Sequence, residues 1–183
     1  MWLSKTLHHR SETARAVPLA LCALIGLAGC TVEPLNATKS MVAPGEPASV
    51  VQILAATEVA PASTRISQQV RNELLFALNG GKPLPDGRYK ISLVVTPTST
   101  FVSIETDVQA PRAAQVQVRV DYALIDKTTG NTVSTGNRTA LASYDRTPQS
   151  FANQRAERDA QNRAAKEVAR QIRLAVGQTI AKL

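Results

Sequence analysis

A positively charged N-terminus leads into an apolar run that ends in two small residues and a cysteine, Leu27-Ala28-Gly29-Cys30. Basic residues, a short apolar segment and small residues at the cut are the three parts of a secretory signal. The apolar run from Ala16 to Leu27 is shorter than the roughly 20 residues that a membrane-spanning helix needs. The pattern is typical of a lipobox. It predicts cleavage before Cys30 and a covalent lipid, diacylglycerol and an N-acyl chain such as palmitate, on that residue.

Cleavage before Cys30 would restrict the chemistry open to the rest of the chain. Both histidines, His8 and His9, and the other cysteine, Cys22, lie in residues 1–29. The remainder then lacks the side chains of His and Cys zinc sites, of Ser-His-Asp triads and of Cys-His nucleophiles. Neither usual glycine-rich nucleotide loop occurs in the chain. We therefore expect no metal, no cofactor other than the covalent lipid, and no enzyme activity.

The chain after the lipobox divides into a tether and one domain. Residues 30–48 contain three prolines and show no apolar periodicity, so we expect the lipidated cysteine and a flexible tether. Thr31, which follows the cysteine in place of Asp, resembles the sorting pattern for the outer membrane. Residues 49–183 are long enough to bury a core as one domain. Because most of the net charge of +7 remains after cleavage, the domain is basic.

Apolar periodicity predicts the order strand, helix, three strands, helix. Ser49–Ala55 is an apolar run of strand length. A helix capped by Ser63 or Thr64 should end at Asn79-Gly80-Gly81, where glycine can adopt the left-handed conformation.

The second half of the chain predicts a meander of strands before a long helix. Period-2 alternation begins at Tyr89 and is interrupted by Pro97, after which Phe101, Ser103 and Glu105 can resume it as an edge or kinked extension. The alternation is clearest from Gln115 to Leu124. Residues 132–144 follow as the last strand. A helix should start at Pro148, a residue suited to the first helical position, and continue to the C-terminus.

The long helix carries apolar residues four apart, and two interpretations stay open. In the first, its C-terminal half packs on the sheet through Ala165, Val168, Ile172, Ala175, Thr179 and Leu183, and the earlier alanines are only good helix formers. In the second, Ala152, Ala156 and Ala160 face a partner at close range. The charged residues of this helix are expected to form a solvated, ion-paired face.

The chain resembles the LPS-assembly lipoprotein family, LptE, over essentially all of its mature length. The resemblance is carried by Cys30 with Pro34-Leu35, by Val70-Arg71-Asn72-Glu73-Leu74-Leu75 with Leu78-Asn79, and by Ser143-Tyr144-Asp145, Pro148, Phe151-Ala152, Ala156-Glu157-Arg158-Asp159-Ala160 and Ala169-Arg170-Gln171-Ile172.

The resemblance implies an α+β fold, a two-layer sandwich with two helices on one face of a four-stranded, mostly antiparallel sheet. It also implies a lipid-anchored protein on the periplasmic side of the outer membrane. There the chain would plug and help assemble the LptD β-barrel translocon and support lipopolysaccharide insertion. For direct lipopolysaccharide binding, Arg and Lys at strand ends suit lipid A phosphates. The candidates are Arg88, Lys90, Arg112 and Lys127.

Two other classes of protein remain open from the sequence. An auxiliary lipoprotein of a lipid-transport ABC system would share the signal, the size and the α/β domain. A periplasmic enzyme that uses only carboxylates would need a pair such as Glu105 and Asp107, which share one face of a strand. We expect these two acids to be part of a solvated strand, because nothing nearby is apolar enough to separate their pKa values.

Overall fold

Three helices and four strands are found among the residues that the structure describes. The computed structural model describes residues 49–82, 86–102 and 113–183. Cys30, the expected tether, Arg112, Glu105 and Asp107 lie outside these residues, so what the sequence predicts for them stays a prediction.

The helices cover one face of a mixed sheet. In chain order the elements are α1 (Val50–Ala55), β1 (Glu58–Val59), α2 (Arg65–Asn79), β2 (Tyr89–Val102), β3 (Ala113–Asp126), β4 (Thr132–Asp145) and α3 (Ser150–Ile180). The strands lie in sequence order, with β1 parallel to β2 and the other neighbours antiparallel. The predicted α+β fold is confirmed, with one additional short helix.

The additional helix is α1, so the strand predicted for Ser49–Ala55 is wrong. Ser49 Oγ accepts from the amide of Gln52, and the Gln52 side chain accepts from the amide of Ser49 in return. This reciprocal capping box satisfies two amides that a helix start leaves unpaired. A short apolar run is compatible with either a strand or a buried helix. The serine and glutamine three residues apart were the overlooked signal.

The second helix forms where the sequence predicts it. Thr64 caps α2 through a capping box with Ser67, and the helix ends at Gly80, which has a left-handed φ of 69°. Its apolar stripe, spaced at three to four residues, is buried on the sheet side. The buried residues of α2 are Ile66, Val70, Leu74 and Leu78.

The sheet extends further than the sequence indicates, because Pro97 does not interrupt β2. This strand continues to Val102, and Pro97 lies opposite Val118 of β3. On the other side of β2, β1 pairs only with Lys90 and Ile91. The rest of that edge is open among the described residues, so a residue without an amide proton is tolerated there.

The long helix begins two residues later than predicted. Its N-cap is Gln149, whose side chain makes no capping hydrogen bond, and the side chain of Asn153 binds the backbone of Thr147. Asn153 Oδ1 accepts from the Thr147 amide at 2.8 Å, and Asn153 Nδ2 donates to the Thr147 carbonyl at 2.7 Å.

The core lies between the helices and one face of β3. Val116, Val118, Val120 and Leu124 are fully buried under α2 and α3, as their alternation predicts. From α3, Ala165, Val168, Ile172 and Ala175 reach the core as predicted. Leu183, which was expected there, is 71% exposed because it follows the end of the helix at Ile180.

Candidate functional site

Three of the four candidate lipopolysaccharide-binding residues meet at one end of the sheet. Tyr89 of β2 pairs with Asp126 of β3, and this register places Arg88, Lys90 and Lys127 close together. The fourth candidate, Arg112, lies outside the described residues, but the next residue, Ala113, begins β3 and pairs with Val102 at the opposite end of the two strands. That end is about 40 Å away at 3.3 Å per residue.

A buried carboxylate anchors the first of these cations. Arg88 Nε and Nη2 donate to Asp126 Oδ2 at 2.9 and 2.6 Å, and the Asp126 side chain is only 7% exposed. Asp126 Oδ1 accepts from the amide of Thr128 at 2.9 Å and from its hydroxyl. The hydrogen bond from Arg88, followed by the one from the Thr128 hydroxyl, holds the pKa of Asp126 far below its usual range. Asp126 therefore stays ionised and fixes both Arg88 and the turn.

The two lysines share the remaining carboxylates. Lys90 Nζ lies 3.2 Å from Glu58 Oε1, and Lys127 Nζ lies 3.4 Å from Glu58 Oε2 and 3.2 Å from Asp86 Oδ1. The hydrogen bond from Lys90 lowers the pKa of Glu58, and the hydrogen bond to Asp86 raises the pKa of Lys127.

We call these six residues, Glu58, Asp86, Arg88, Lys90, Asp126 and Lys127, the charged end of the sheet. Its three cations face three carboxylates, so their formal charges cancel. A phosphate could bind here only in competition with those carboxylates, which makes these cations weaker phosphate ligands than the sequence alone suggests.

A second group of cations lies on the helix layer, within the charged face that the sequence predicts for α3. α2 and α3 run in the same direction, because Arg65 contacts Gln161 and, at 3.1 Å, Asn162, while Phe76 meets Leu174 further along both helices. Between them lies a depression of about 560 Å³, which we call the helix groove. It is lined by Glu73, Phe76, Ala77, Lys166, Arg170, Arg173 and Leu174.

Positive charge and apolar surface coincide in the helix groove. Among its lining residues Glu73 is the one acid, and Glu73 already accepts a hydrogen bond from Gln69 at 3.1 Å. The nearest carboxylate oxygen to Arg170, on Glu167, is 4.0 Å away, and within the described residues Lys166 has no ion-pair partner. Phe76 is 66% exposed and Leu174 47% exposed. The charged face expected on α3 is thus only partly ion-paired. That α2 lies beside this face could not be predicted from the sequence.

The alanines proposed to face a partner divide between the core and the surface. Ala160 has no exposed surface and belongs to the core, so the partner-facing interpretation is wrong for this residue. Ala156 packs partly against the same core. These alanines are buried because the N-terminal half of α3, like its C-terminal half, packs on the sheet. Their small side chains allow the helix to approach the strands closely. Ala152 is half-buried, and a partner contact there stays a prediction.

Neither a metal cluster nor a membrane-spanning helix is found within residues 49–82, 86–102 and 113–183. No three His, Cys, Asp or Glu side chains come together there as a metal site would require. The helices of this part of the chain are too polar or too short to cross a bilayer.

Residues 51–176 match the family model described as LptE, lipopolysaccharide-assembly. This stretch begins in α1 and ends in the last turns of α3, so it includes the whole sheet and the helix groove. The chain belongs to the LptE family. The family resemblance inferred from the sequence is confirmed. No curated protein shows significant similarity to this member of the LptE family.

Solved lipoproteins share the fold of this LptE-family chain. A protein from Caulobacter crescentus CB15, assigned as a lipoprotein, is 27% identical with a TM-score of 0.61, covering 72% of this chain and 96% of its own. The rare lipoprotein B of Shewanella oneidensis is 13% identical with a TM-score of 0.52, covering 69% and 96%. A minor lipoprotein of Acinetobacter baumannii is 20% identical with a TM-score of 0.51, covering 67% and 88%. At these identities the last two show a common fold alone.

Proposed function

We propose that this chain is an outer-membrane lipoprotein that plugs and helps assemble an LptD-type β-barrel translocon and supports lipopolysaccharide insertion at the cell surface. The observation that carries the proposal is the match to the lipopolysaccharide-assembly family over residues 51–176, which contain the sheet and nearly all of the long helix. The chain acts by binding and not by catalysis.

The sheet face opposite the helices supports a place inside a barrel. The lumen of a membrane β-barrel is polar, so a plug needs a polar surface that carries little unpaired charge. The exposed side chains on this face include many neutral hydrogen-bonding groups beside the apolar Val94 and Leu141, and Arg119 pairs there with Asp121 at 3.2 Å. The neutral exposed residues include Thr96, Thr98, Gln117, Thr135, Asn137, Thr139 and Ser143.

The length of the domain also suits a plug. β2, β3 and β4 have 14 residues each and span about 45 Å at 3.3 Å per residue. α3 has 31 residues and spans a similar length. The sheet and the long helix therefore extend over about the same length.

The proposal is tested by affinity purification of the tagged chain from detergent-solubilised membranes. We expect a large outer-membrane β-barrel protein to co-elute. Elution with the parts of an inner-membrane ABC transporter would replace this function with that of an auxiliary transport lipoprotein. Lipid attachment is tested separately, by labelling cells with palmitate. The wild-type chain should take up label and the Cys30→Ser variant should not.

Direct lipopolysaccharide binding by Arg88, Lys90, Arg112 and Lys127 is a separate part of the proposal. Replacing Arg112 and Lys127 with glutamate should weaken lipopolysaccharide binding and leave the fold intact. Because Lys127 already binds Glu58 and Asp86, Lys127→Glu alone should have the smaller effect of the two single changes. Unchanged binding in the double variant would exclude this assignment.

A further inference from the structure

The helix groove is bordered on its α3 side by one row of side chains. Lys166, Arg170 and Leu174 follow one another at intervals of four residues, so they lie on the same side of this helix. Phe76 of α2 lines the groove from the other side. The α3 row is about 12 Å long, which is the length of roughly four residues of extended chain. The groove is thus cationic towards one end and apolar towards the other.

We infer that the helix groove is the docking site for an acidic segment of the barrel that faces the lumen and carries an apolar side chain beside its Asp or Glu. This inference deepens the proposed function and rests on it, because it names the chemistry of the barrel segment that the helix layer contacts. The carboxylates of the segment pair with Lys166 and Arg170. Its apolar side chain packs against Phe76 and Leu174.

Two cations of the groove are available for carboxylates of a partner. Lys166 is exposed and has no ion-pair partner within residues 49–82, 86–102 and 113–183. The Arg170 side chain is 61% exposed, and Glu167 Oε2 approaches it only to 4.0 Å. An exposed ion pair of this kind contributes little to stability. Arg170 can therefore exchange it for a carboxylate that its planar guanidinium binds through two hydrogen bonds.

The residue types of the groove suit a protein partner. Aromatic residues and arginine are enriched at protein interfaces, and they supply much of the binding energy there. Phe76 and Leu174 are large apolar side chains that are exposed in the isolated domain. Lys166 lies at the end of the α3 row, which corresponds to the polar rim of an interface. In a domain that fills a barrel lumen, the wall of the barrel is the surface that covers these side chains.

Two other surfaces of the domain offer an acidic segment less. At the charged end of the sheet each cation already has a carboxylate within 3.4 Å. On the sheet face opposite the helices, Arg119 pairs with Asp121 at 3.2 Å. An acidic segment would have to displace these carboxylates before it could bind. Of the three surfaces, the helix groove is the one where it meets the least competition.

The experiment places a photoreactive side chain in the groove of the full chain. Phe76 is replaced by p-benzoylphenylalanine in cells that produce the tagged protein, and the cells are irradiated. The covalent adduct is purified under denaturing conditions, and mass spectrometry identifies the peptide joined to position 76. A parallel purification in mild detergent, without irradiation, shows whether a barrel protein co-elutes at all. The proposed function and the docking site therefore have separate readouts.

Charge reversal tests which residues of the domain hold the segment. The groove variant is Lys166→Glu with Arg170→Glu. The matched control is Arg155→Glu with Arg158→Glu, which makes the same change of charge at exposed positions of the same helix outside the groove.

We expect an adduct between position 76 and a barrel segment that contains Asp or Glu. Like charges that face each other across an interface oppose binding, so the groove variant should lower the adduct yield by about tenfold or more. The control variant should leave the yield nearly unchanged. Replacing the mapped acidic residues of the barrel with lysine should restore the yield in the groove variant.

The outcomes separate the docking site from the proposed function. Co-elution of the barrel without an adduct at position 76 would overturn the docking site and leave the proposed function intact. An adduct whose yield falls equally in both charge-reversed variants, or in neither, would also overturn it. Absence of a barrel from the unirradiated purification would overturn both. Circular dichroism of the groove variant, and of Lys166→Gln with Arg170→Gln, which should also lower the yield, distinguishes lost docking from lost folding.

Discussion

Ala160 offers the sharpest test of how the long helix packs. Its side chain has no exposed surface, and Ala156 and Ala164 on either side of it also pack in the core cluster. Leucine adds three heavy atoms for which the packed site has no empty room. Inserting such groups into a packed core costs about 1–3 kcal/mol. Ala160→Leu should therefore lower the free energy of unfolding by that amount, although leucine is itself a good helix former.

The assay is thermal unfolding followed by far-ultraviolet circular dichroism. A loss of 1–3 kcal/mol should lower Tm by roughly 3–10 °C for a domain of this size. Ala152→Leu is the matched control, because Ala152 is half-buried near the start of the helix and should change Tm by little. An unchanged Tm for Ala160→Leu, together with weaker recovery of the barrel partner, would refute the core placement and restore the partner-facing interpretation.

Three further predictions concern the sheet, the charged end and the N-cap of α2. Gly136→Ala should cost about 1–3 kcal/mol, because the new Cβ would lie 2.7 Å from the Tyr122 hydroxyl oxygen, and Tyr122→Phe should recover part of the loss in a chemical-denaturation assay. The pKa of Asp126 is lower in the folded than in the unfolded chain, so its contribution to stability is present above the unfolded pKa near 4 and is lost on acidification. Asp126→Asn should flatten the dependence of stability on pH below about pH 5, and an unchanged slope would contradict the pairing with Arg88. Thr64→Ala should cost about 1 kcal/mol in thermal unfolding, whereas Thr64→Ser should be nearly neutral.

The elements that could be predicted from sequence are those in which a period persists over many residues. In β3 the alternation continues from Gln115 to Leu124 and matches burial residue by residue. In α2 the apolar spacing, the threonine cap and the terminal glycine all indicate the same boundaries. Local signals suffice where they agree in this way.

Elements whose form depends on distant neighbours were predicted incompletely. Pro97 lies within β2 only because β1 is two residues long and leaves that edge open, which no local pattern shows. The six-residue run of α1 is too short for periodicity to separate a helix from a strand. Its capping box, Ser49 with Gln52, indicates a helix, whereas the apolar composition of the run is equally typical of a strand.

The charged residues of the candidate site were predicted, but their pairings were not, because these also depend on distant neighbours. The sequence shows which residues carry charge but not which charges meet. Arg88 and Asp126 are 38 residues apart in the chain, and the charged end exists only because β2 and β3 pair in one register. The helix groove likewise requires α2 to lie beside α3, and α2 supplies Phe76, the most exposed of its apolar residues.

The location of the net positive charge follows from these pairings. Three cations and three carboxylates cancel at the charged end of the sheet, so the excess of basic residues must lie elsewhere. α3 carries six basic and three acidic residues, and two of the acids, Asp159 and Glu167, pair with Arg163 and, at longer range, Arg170. The helix layer therefore carries more unpaired positive charge than the opposite sheet face, where Arg119 pairs with Asp121.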